Sequence, residues 1–348
     1  LKISDFSEKI IEAIKSDRMR IVPEFRKKEF LKFLENGLED VSISRPRKNL
    51  SWGVPVPSKN EQVMYVWIDV LANYLSVIGY PDRLEWQEFW PANVQVVGKD
   101  ILRFHAGIWP AMLLGLNLPL PKTLLVHGHI SSGGMKMSKS VGNVVDPNEI
   151  IDNYGIDAFR YYFSRHIPTQ DDGDFTWEKF ENAYNNELGN DLGNLFSRVA
   201  NMIKRYQSGV IGDLPNDDHD KHKYNSLMEQ LKFNEAIDEA WSLVKAHNQY
   251  IENVKPWEIA KKAKDDKNEE SHLAEVLAHS AAGILQIANL LDPFMPTTSE
   301  KIRTIFASGV VKDEEIGILF PKIYLKTEDP RARKVEQAQN KANAKKKK

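Results

Sequence analysis

An α/β domain followed by an all-α helix bundle is the architecture this sequence predicts, and three observations predict it. Two β-like apolar runs, "VQVVGKD" (Val94–Asp100) and "TLLVHGHI" (Thr123–Ile130), flank the helix-periodic "ILRFHAGIWPAMLLG". From Thr176 onward the pattern changes to long amphipathic helices joined by short breaks. Directly after the second apolar run comes a glycine-rich, doubly cationic stretch, "GGMKMSKSVGN" (Gly133–Asn143).

At the N-terminus, "LKISDFSEKIIEAI" has no signal or transit composition. Asp5 is placed to cap an amphipathic helix carrying Ile10, Ile11 and Ile14. Strand, helix, strand at the spacing of 94–130 implies a parallel sheet, with Pro110 breaking the helix and Gly115 closing it. In such sheets ligands sit beyond the carboxyl ends of the strands. Gly98–Asp100 and the cationic loop both fall at those ends, which favours a nucleotide-like site.

In the second half, residues 176–206 read as one long helix with Thr176 as its N-cap. Leu188, Leu192, Leu195 and Val199 form its apolar stripe. "QSGVIGDLPNDDHD" interrupts, and helices resume with Leu227, Leu231, Ile237, Trp241 and Val244. A further helix spans Leu273 to Leu291, and beyond it Thr297 and Glu300 have capping-box spacing for another. The expected domains are 1–175 and 176–325, with 326–348 a basic, core-free, disordered tail.

Bulk composition limits the function classes. The 348 residues are 42% hydrophobic and 28% charged, enough for packed cores. The formal net charge of −2 does not announce a nucleic-acid partner, so any such contact is local. No uninterrupted apolar run has the length of a membrane span, and neither a membrane nor DNA is an expected partner. Cys is absent, which excludes disulfides and thiolate zinc ligation within the chain and fits a reducing compartment.

The cationic loop carries the most specific chemistry. Glycines let the backbone approach an anion, and Lys136 and Lys139 bring ammonium charge to a polyphosphate. Loop mobility lets that charge tighten as negative charge moves onto a leaving group. A lone KxxK is more often a solvated basic turn. The full KMSKS string (Lys136–Ser140), set after a strand and a GG turn and continued by "VGNVVDP", points instead to a phosphate site.

"KMSKSVGNVVDP" resembles the signature loop of class I aminoacyl-tRNA synthetases. "SISRP", "YVWIDVLANYL", "GKDILRFHAGIWPAMLLG" and "VHGHI" narrow the resemblance to the methionyl-tRNA synthetases of bacterial and mitochondrial type. "NNELGNDLGNLFSR" and "NVKPWEIAK" do so in the helical half, so that only the basic tail lies outside. The resemblance implies the C-terminal part of a Rossmann-type catalytic domain, followed by a helix-bundle anticodon-binding domain.

It also implies roles for residues. Lys136 and Lys139 would act on the ATP phosphates, Lys139 foremost, with Ser138 and Ser140 shaping the loop. Gly98 and Asp100 would meet the adenylate ribose, where a carboxylate accepts from two vicinal hydroxyls. His127 and Ile130 would lie beside the adenine. "HGH" by itself lacks the third ligand of a metal site.

Trp67, Tyr74, His105 and Trp109 would line a methionine pocket, aromatic walls suiting a flexible thioether. His105 and Trp109 share a helix face; each aromatic alone reads equally as core. Val70 and Leu71 depart from the small residue and proline of some members. Asp157 and Arg160 read as structural, and Arg45 either reaches the nucleotide or holds its strand.

Asn194 and Arg198, four apart on the long helix, flank the apolar stripe, and Trp257 follows Pro256 at a helix start. From the residues alone, a core Trp and a surface Arg account for these. The resemblance implies that Asn194, Arg198, Pro256 and Trp257 read the CAU anticodon of tRNA(Met), by stacking and edge hydrogen bonds.

None of the nine His residues begins an H-[IL]-G-H string, the second nucleotide signature of the class. The chain is therefore expected to be the C-terminal part of such an enzyme, as a fragment or one piece of a split protein, with any zinc site in the other part. The implied reaction is ATP- and Mg2+-dependent activation of methionine to methionyl-adenylate and transfer to tRNA(Met), in the cytoplasm or mitochondrial matrix. On its own the chain is expected to form little adenylate while retaining weakened tRNA affinity. Three rivals are a tRNA-binding module without catalysis, a small-molecule nucleotidyltransferase, and a sister synthetase for leucine, valine, isoleucine or cysteine. The intact loop opposes the first, the helix bundle with Trp257 the second, and the Trp67/His105/Trp109 set the third.

Overall fold

Apolar residues at helical spacing open the chain: Ile10 and Ile14 are fully buried on α1 (Ser7–Lys15), while Ile11 is half-buried. Asp5 does not cap this helix. It sits inside a 3₁₀ turn, Ser4–Phe6, whose Ser4 is held by Asp40 through its N–H (3.2 Å) and hydroxyl (2.7 Å). The extra turn moves the start of the α-helix past Asp5, so its carboxylate has no free N–H of α1 to accept from. The computed structural model describes residues 1–35, 37–50, 52–215, 220–312 and 316–323. It resolves into two compact units, Leu1–His129 and the residues from Ile130 onward.

In the first unit, strand β1 (Arg20–Val22) leads into α2 (Glu24–Leu34). An antiparallel ribbon follows, β2 (Ser44–Pro46), β3 (Pro55–Val56) and β4 (Lys59–Met64), ordered β2-β4-β3. Helices α3 (Val66–Ser76) and α4 (Trp86–Phe89) precede β5 (Gln95–Gly98), α5 (Trp109–Gly115) and β6 (Thr123–His127). β5 and β1 both pair parallel with the central β6, in the order β1-β6-β5, as strand–helix–strand spacing predicts. Val97, Leu124 and Val126 join Ile10, Leu71 and Trp109 in the core, whereas Val96 on the other face of β5 is 61% exposed.

Pro110 does not break the helix. The five residues before α5, Phe104–Ile108, form a π-helical segment, and Pro110 occupies the first turn of α5. Proline lacks an N–H and clashes with the preceding turn, and the wider π register with its longer-range bonds accommodates both. Gly115 does close the helix.

The second unit opens with β7 (Ile130–Ser132) and β8 (Met135–Lys136), an antiparallel hairpin whose first strand also pairs parallel with β9 (Gly173–Phe175). Between them lie α6 (Pro147–Tyr154) and α7 (Ile156–Arg165). The remaining helices are α8 (Trp177–Ala183), α9 (Asn194–Gln207), α10 (His222–Glu229) and α11 (Phe233–Val254), then α12 (Pro256–Lys262), α13 (Lys267–Leu291) and α14 (Pro296–Phe306). The compact division falls after His129, not near 175. Phe175 of β9 packs 5.6 Å from Tyr162 and shares one core with Phe180 and the helices beyond, so the hairpin belongs with the bundle.

Thr176 caps α8, its side chain accepting from the Lys179 N–H. Residues 177–207 are helical throughout, but Tyr184–Gly193 is π-helical, a change of register that apolar periodicity does not report. The helix expected over Leu273–Leu291 starts earlier, at Lys267, because Asp266 caps it by accepting from the Asn268 N–H. Among the described residues α13 is the one helix long and apolar enough to cross a membrane, and 67% of its most apolar window is buried inside the protein. It is the core helix of the bundle.

The expected Thr297–Glu300 capping box does not form. The Thr298 N–H instead donates to Asp157 Oδ2 at 2.5 Å, and Arg160 donates to the carbonyls of Phe294 (2.9 Å) and Pro293 (2.7 Å). Two residues of α7 thus satisfy the turn between α13 and α14, a structural role consistent with their first reading. The predicted tail at 326–348 lies outside the described residues.

Candidate functional site

In the first unit, the carboxyl ends of β5 and β6 bring the predicted nucleotide residues together. Gly98 ends β5 opposite His127, and a Cβ at Gly98 would lie 3.7 Å from the His127 ring. Asp100 is exposed in the 3₁₀ turn that follows, and its Oδ2 lies 2.9 Å from His129 Nε2. β6 ends at His127, so His129 lies just beyond the strand. Both imidazoles flank the Gly98–Asp100 turn. Ile130 begins β7 in the second unit, 38% exposed.

The four aromatic candidates also converge. Trp67 and Tyr74 come from α3, His105 from the π segment and Trp109 from α5. Trp67 lies edge-on to His105 (6.1 Å) and stacks on Phe104 at 3.9 Å and 7°. Tyr74 lies 5.8 Å from Trp109. His105 is 2% exposed, and burial lowers its pKa from the ordinary 6.5, against a smaller opposing effect of the Ile101 carbonyl. Its Nδ1 is 3.0 Å from that carbonyl and its Nε2 is 2.9 Å from the Tyr74 hydroxyl. Nδ1 therefore carries the proton, and Nε2 accepts from Tyr74. The result is a neutral, oriented imidazole in an aromatic cluster.

Trp109 is fully buried, and its indole N–H has no acceptor among the described residues. Of the two departures from the family pattern, Leu71 is buried in the core and Val70 is 44% exposed. Arg45 donates to the Ser42 and Ser44 carbonyls and lies 3.8 Å from the Tyr65 ring, which accounts for its strand-holding role.

The cationic loop is more tightly held than its composition suggests. Gly133 and Gly134 form the hairpin tip with φ of 61° and 73°, a left-handed pair that glycine adopts without penalty. Asp174 anchors the tip, accepting from the Gly134 N–H and the Ser131 hydroxyl, both at 2.7 Å. Burial acts to raise the Asp174 pKa, but these two bonds and Lys179 together hold it below its ordinary value.

Asn143, 3% exposed, closes the loop: its Oδ1 accepts from the Ser138 N–H (2.8 Å) and its Nδ2 donates to the Lys136 carbonyl (3.2 Å). The Ser138 and Ser140 hydroxyls share a bond of 2.7 Å. Lys136 and Lys139 project from this frame, both exposed, and no carboxylate pairs with either among the described residues. Asp146 and Pro147, the end of the motif, are the N-cap and first residue of α6. Asn143 and Asp174 escaped the sequence reading. An amide able to accept and donate at once inside a cationic loop was a usable signal for Asn143, whereas Asp174 is distant in sequence.

In the second unit, Asn194 and Arg198 rise from α9 and Trp257 from α12. Lys255 takes a left-handed conformation (φ 53°) that ends α11, and the buried Pro256 opens α12 directly after it. This corner holds Trp257 beside α9. The Arg198 guanidinium lies 5.8 Å from the Trp257 ring and 2.8 Å from Glu252, another residue the sequence did not single out. All three candidates line an open groove of about 380 Å³. A larger hollow of about 760 Å³ beside α14 contains none of the predicted site residues.

Comparison with known proteins gives the family. Residues 1–200 match the family described as tRNA synthetases class I (M), and residues 219–347 the anticodon-binding domain of tRNA ligase. The methionine–tRNA ligase of Caldanaerobacter subterraneus subsp. tengcongensis is 41% identical over 314 residues, 86% of this chain and 48% of that protein. That of Clostridium tetani is 43% identical over 315 residues, with the same coverage of 86% and 48%. The chain thus spans about half the length of the curated relatives it matches. The crystal structure of Mycobacterium tuberculosis methionyl-tRNA synthetase bound by methionyl-adenylate superposes with a TM-score of 0.80 at 30% identity, covering 94% of this chain and 67% of that one. Its apo form gives 0.81 at 27% identity, covering 93% and 68%. The chain belongs to the class I tRNA synthetase family of the methionyl type.

Proposed function

We propose that this chain contributes the phosphate loop, the methionine pocket and the anticodon face of a methionine–tRNA ligase. The observation that carries this is the cationic loop: two exposed lysines, neither paired with a carboxylate among the described residues, on a frame closed by Asn143 and anchored by Asp174. The named relatives and the adenylate-bound structural neighbour support the same assignment.

In the reaction, a methionine carboxylate oxygen attacks the α-phosphorus of ATP. The bond from that phosphorus to the bridging oxygen breaks, and pyrophosphate leaves with the electron pair. Lys136 and Lys139 meet the growing charge on the leaving group, Lys139 most directly, and Ser138 and Ser140 hold the loop's shape. Asp100 accepts from the ribose hydroxyls beside Gly98, and His127 and Ile130 flank the base. Trp67, Tyr74, His105 and Trp109 enclose the thioether, and the neutral His105 presents no charge to it.

The terminal ribose hydroxyl of tRNA(Met) then attacks the methionyl carbonyl and AMP departs. Positioning and charge stabilisation suffice, without a protein nucleophile. Among the described residues no group of three His, Asp or Glu side chains is arranged for a resident metal. Mg2+ would enter this scheme as part of the ATP substrate, neutralising charge on its phosphates.

Asn194, Arg198 and Trp257 read the CAU anticodon, the indole stacking on an unstacked base while the polar pair bonds base edges; the buried Pro256 serves only by fixing the corner that presents Trp257. Pyrophosphate exchange in the full-length protein, run with methionine and with leucine, valine, isoleucine and cysteine, tests the assignment. Methionine is expected to support exchange and the others not. Equal exchange with a second amino acid would remove the methionine pocket from the proposal.

A further inference from the structure

Seven residues beyond Arg198 on α9 stands a second guanidinium, Arg205. At helical geometry the two lie on one face, about 10 Å apart along the axis. The groove that Asn194, Arg198 and Trp257 open onto runs along this face and also takes in Asn201, Arg205 and Tyr206. One base cannot span that length.

The two guanidinium groups are committed differently. Arg198 is neutralised by Glu252 at 2.8 Å and faces Trp257, which suits edge bonding to a base more than attraction to a phosphate. Arg205 is exposed, and no carboxylate pairs with it among the described residues. It lies 5.6 Å from the half-buried Tyr206 ring. Asn201, also exposed, donates its Nδ2 to the Ser197 carbonyl at 2.7 Å, which leaves its amide oxygen to accept from a ligand. An uncompensated cation, an aromatic ring and an amide acceptor in the groove match the phosphate, base face and base edge of one nucleotide.

We propose that Arg205, Asn201 and Tyr206 form a second nucleotide subsite, which binds the phosphate and stacks the base of an anticodon-loop nucleotide next to the one read at Trp257. The proposal rests on the assignment of this groove to the anticodon loop. Arg205 supplies affinity without sequence preference, because its partner is the phosphate. The competing account is that Arg205 only complements the carboxyl end of α9, as a cation in a last turn does.

The test measures binding of a labelled CAU stem–loop RNA to the whole chain by fluorescence anisotropy, beside the same RNA with one anticodon base changed. Arg205→Gln is expected to weaken both RNAs by a similar factor, roughly three- to tenfold, and the loss of one phosphate contact shrinks that factor about 2.5-fold between about 50 and 200 mM salt. Arg205→Lys restores most of the affinity, since a point charge serves a phosphate. If Arg205→Gln keeps the affinity and salt slope of the unaltered chain while Trp257→Ala abolishes the CAU preference, the second subsite is wrong and the base-reading face stands. If the unaltered chain shows no CAU preference, the base-reading face falls and the second subsite falls with it.

Discussion

The hydroxyl of Tyr74 and Nε2 of His105 share a hydrogen bond of 2.9 Å, and the other imidazole nitrogen is occupied by the Ile101 carbonyl at 3.0 Å. Both ring nitrogens are thereby used, and the ring can serve only as a neutral, immobile wall. A charged imidazole would have to reverse the bond with Tyr74, because both its nitrogens would then be donors and the hydroxyl would have to accept.

This relationship makes stability depend on pH. His105 titrates below its ordinary 6.5 when folded, because burial disfavours the charged ring. The unfolded chain therefore binds the proton more readily. The stabilisation is complete above 6.5 and is lost as pH falls through the lowered value. Urea unfolding at pH 7 and pH 5 is expected to show a stability difference that His105→Gln reduces. Tyr74→Phe should cost about 1–2 kcal/mol at pH 7, since it leaves a buried acceptor without its donor. A Tyr74→Phe variant with unchanged stability would contradict the assigned tautomer.

Asn143 is the second target. Asn143→Ala removes the amide that bonds both the Ser138 N–H and the Lys136 carbonyl, and should destabilise the loop locally by about 1–2 kcal/mol. Hydrogen exchange at Ser138 should accelerate while amides in α13 keep their protection. Uniform acceleration everywhere would mean that Asn143 supports the whole unit and not the loop.

Lys139→Ala in the full-length enzyme is expected to slow adenylate formation by about 10²–10³-fold and to weaken ATP binding much less. The charge acts mainly on the leaving group in the transition state. Single-turnover kinetics separate the two effects, and equal losses in both would assign Lys139 to ground-state binding.

Asp157→Ala should destabilise the second unit by about 1–2 kcal/mol, the usual cost of removing a helix cap. The Thr298 N–H loses its acceptor, and Asp157 is 5% exposed, so water does not readily replace it. Asp157→Asn keeps an oxygen acceptor and should recover part of the loss. Thermal unfolding of the three forms measures this, and equal melting temperatures would exclude the cap.

Local signals in the chain named residues that the structure brings together. KMSKS after a GG turn, the paired aromatics of 67–109 and the Asn/Arg/Trp set are each short motifs, and each is found assembled in one place. Boundaries were less legible. Pro110 and the stretch 184–193 read as ordinary helix or helix break because apolar spacing cannot tell a π register from an α one. The capping box at Thr297 was a false signal, since α14 starts at Pro296 and Thr297 already lies inside its first turn.

What the sequence determined by itself was chemistry of residue type and short spacing: which cations share a loop, which aromatics share a helix, which glycines make the tip. What only tertiary structure decided was which of those groups are neutralised, buried or anchored by residues far along the chain. Asp174 sits 40 residues from Gly134 and Glu252 lies on a different helix from Arg198. Electrostatics and burial depend on proximity in space, and chain spacing carries that information only within a turn or two of a helix.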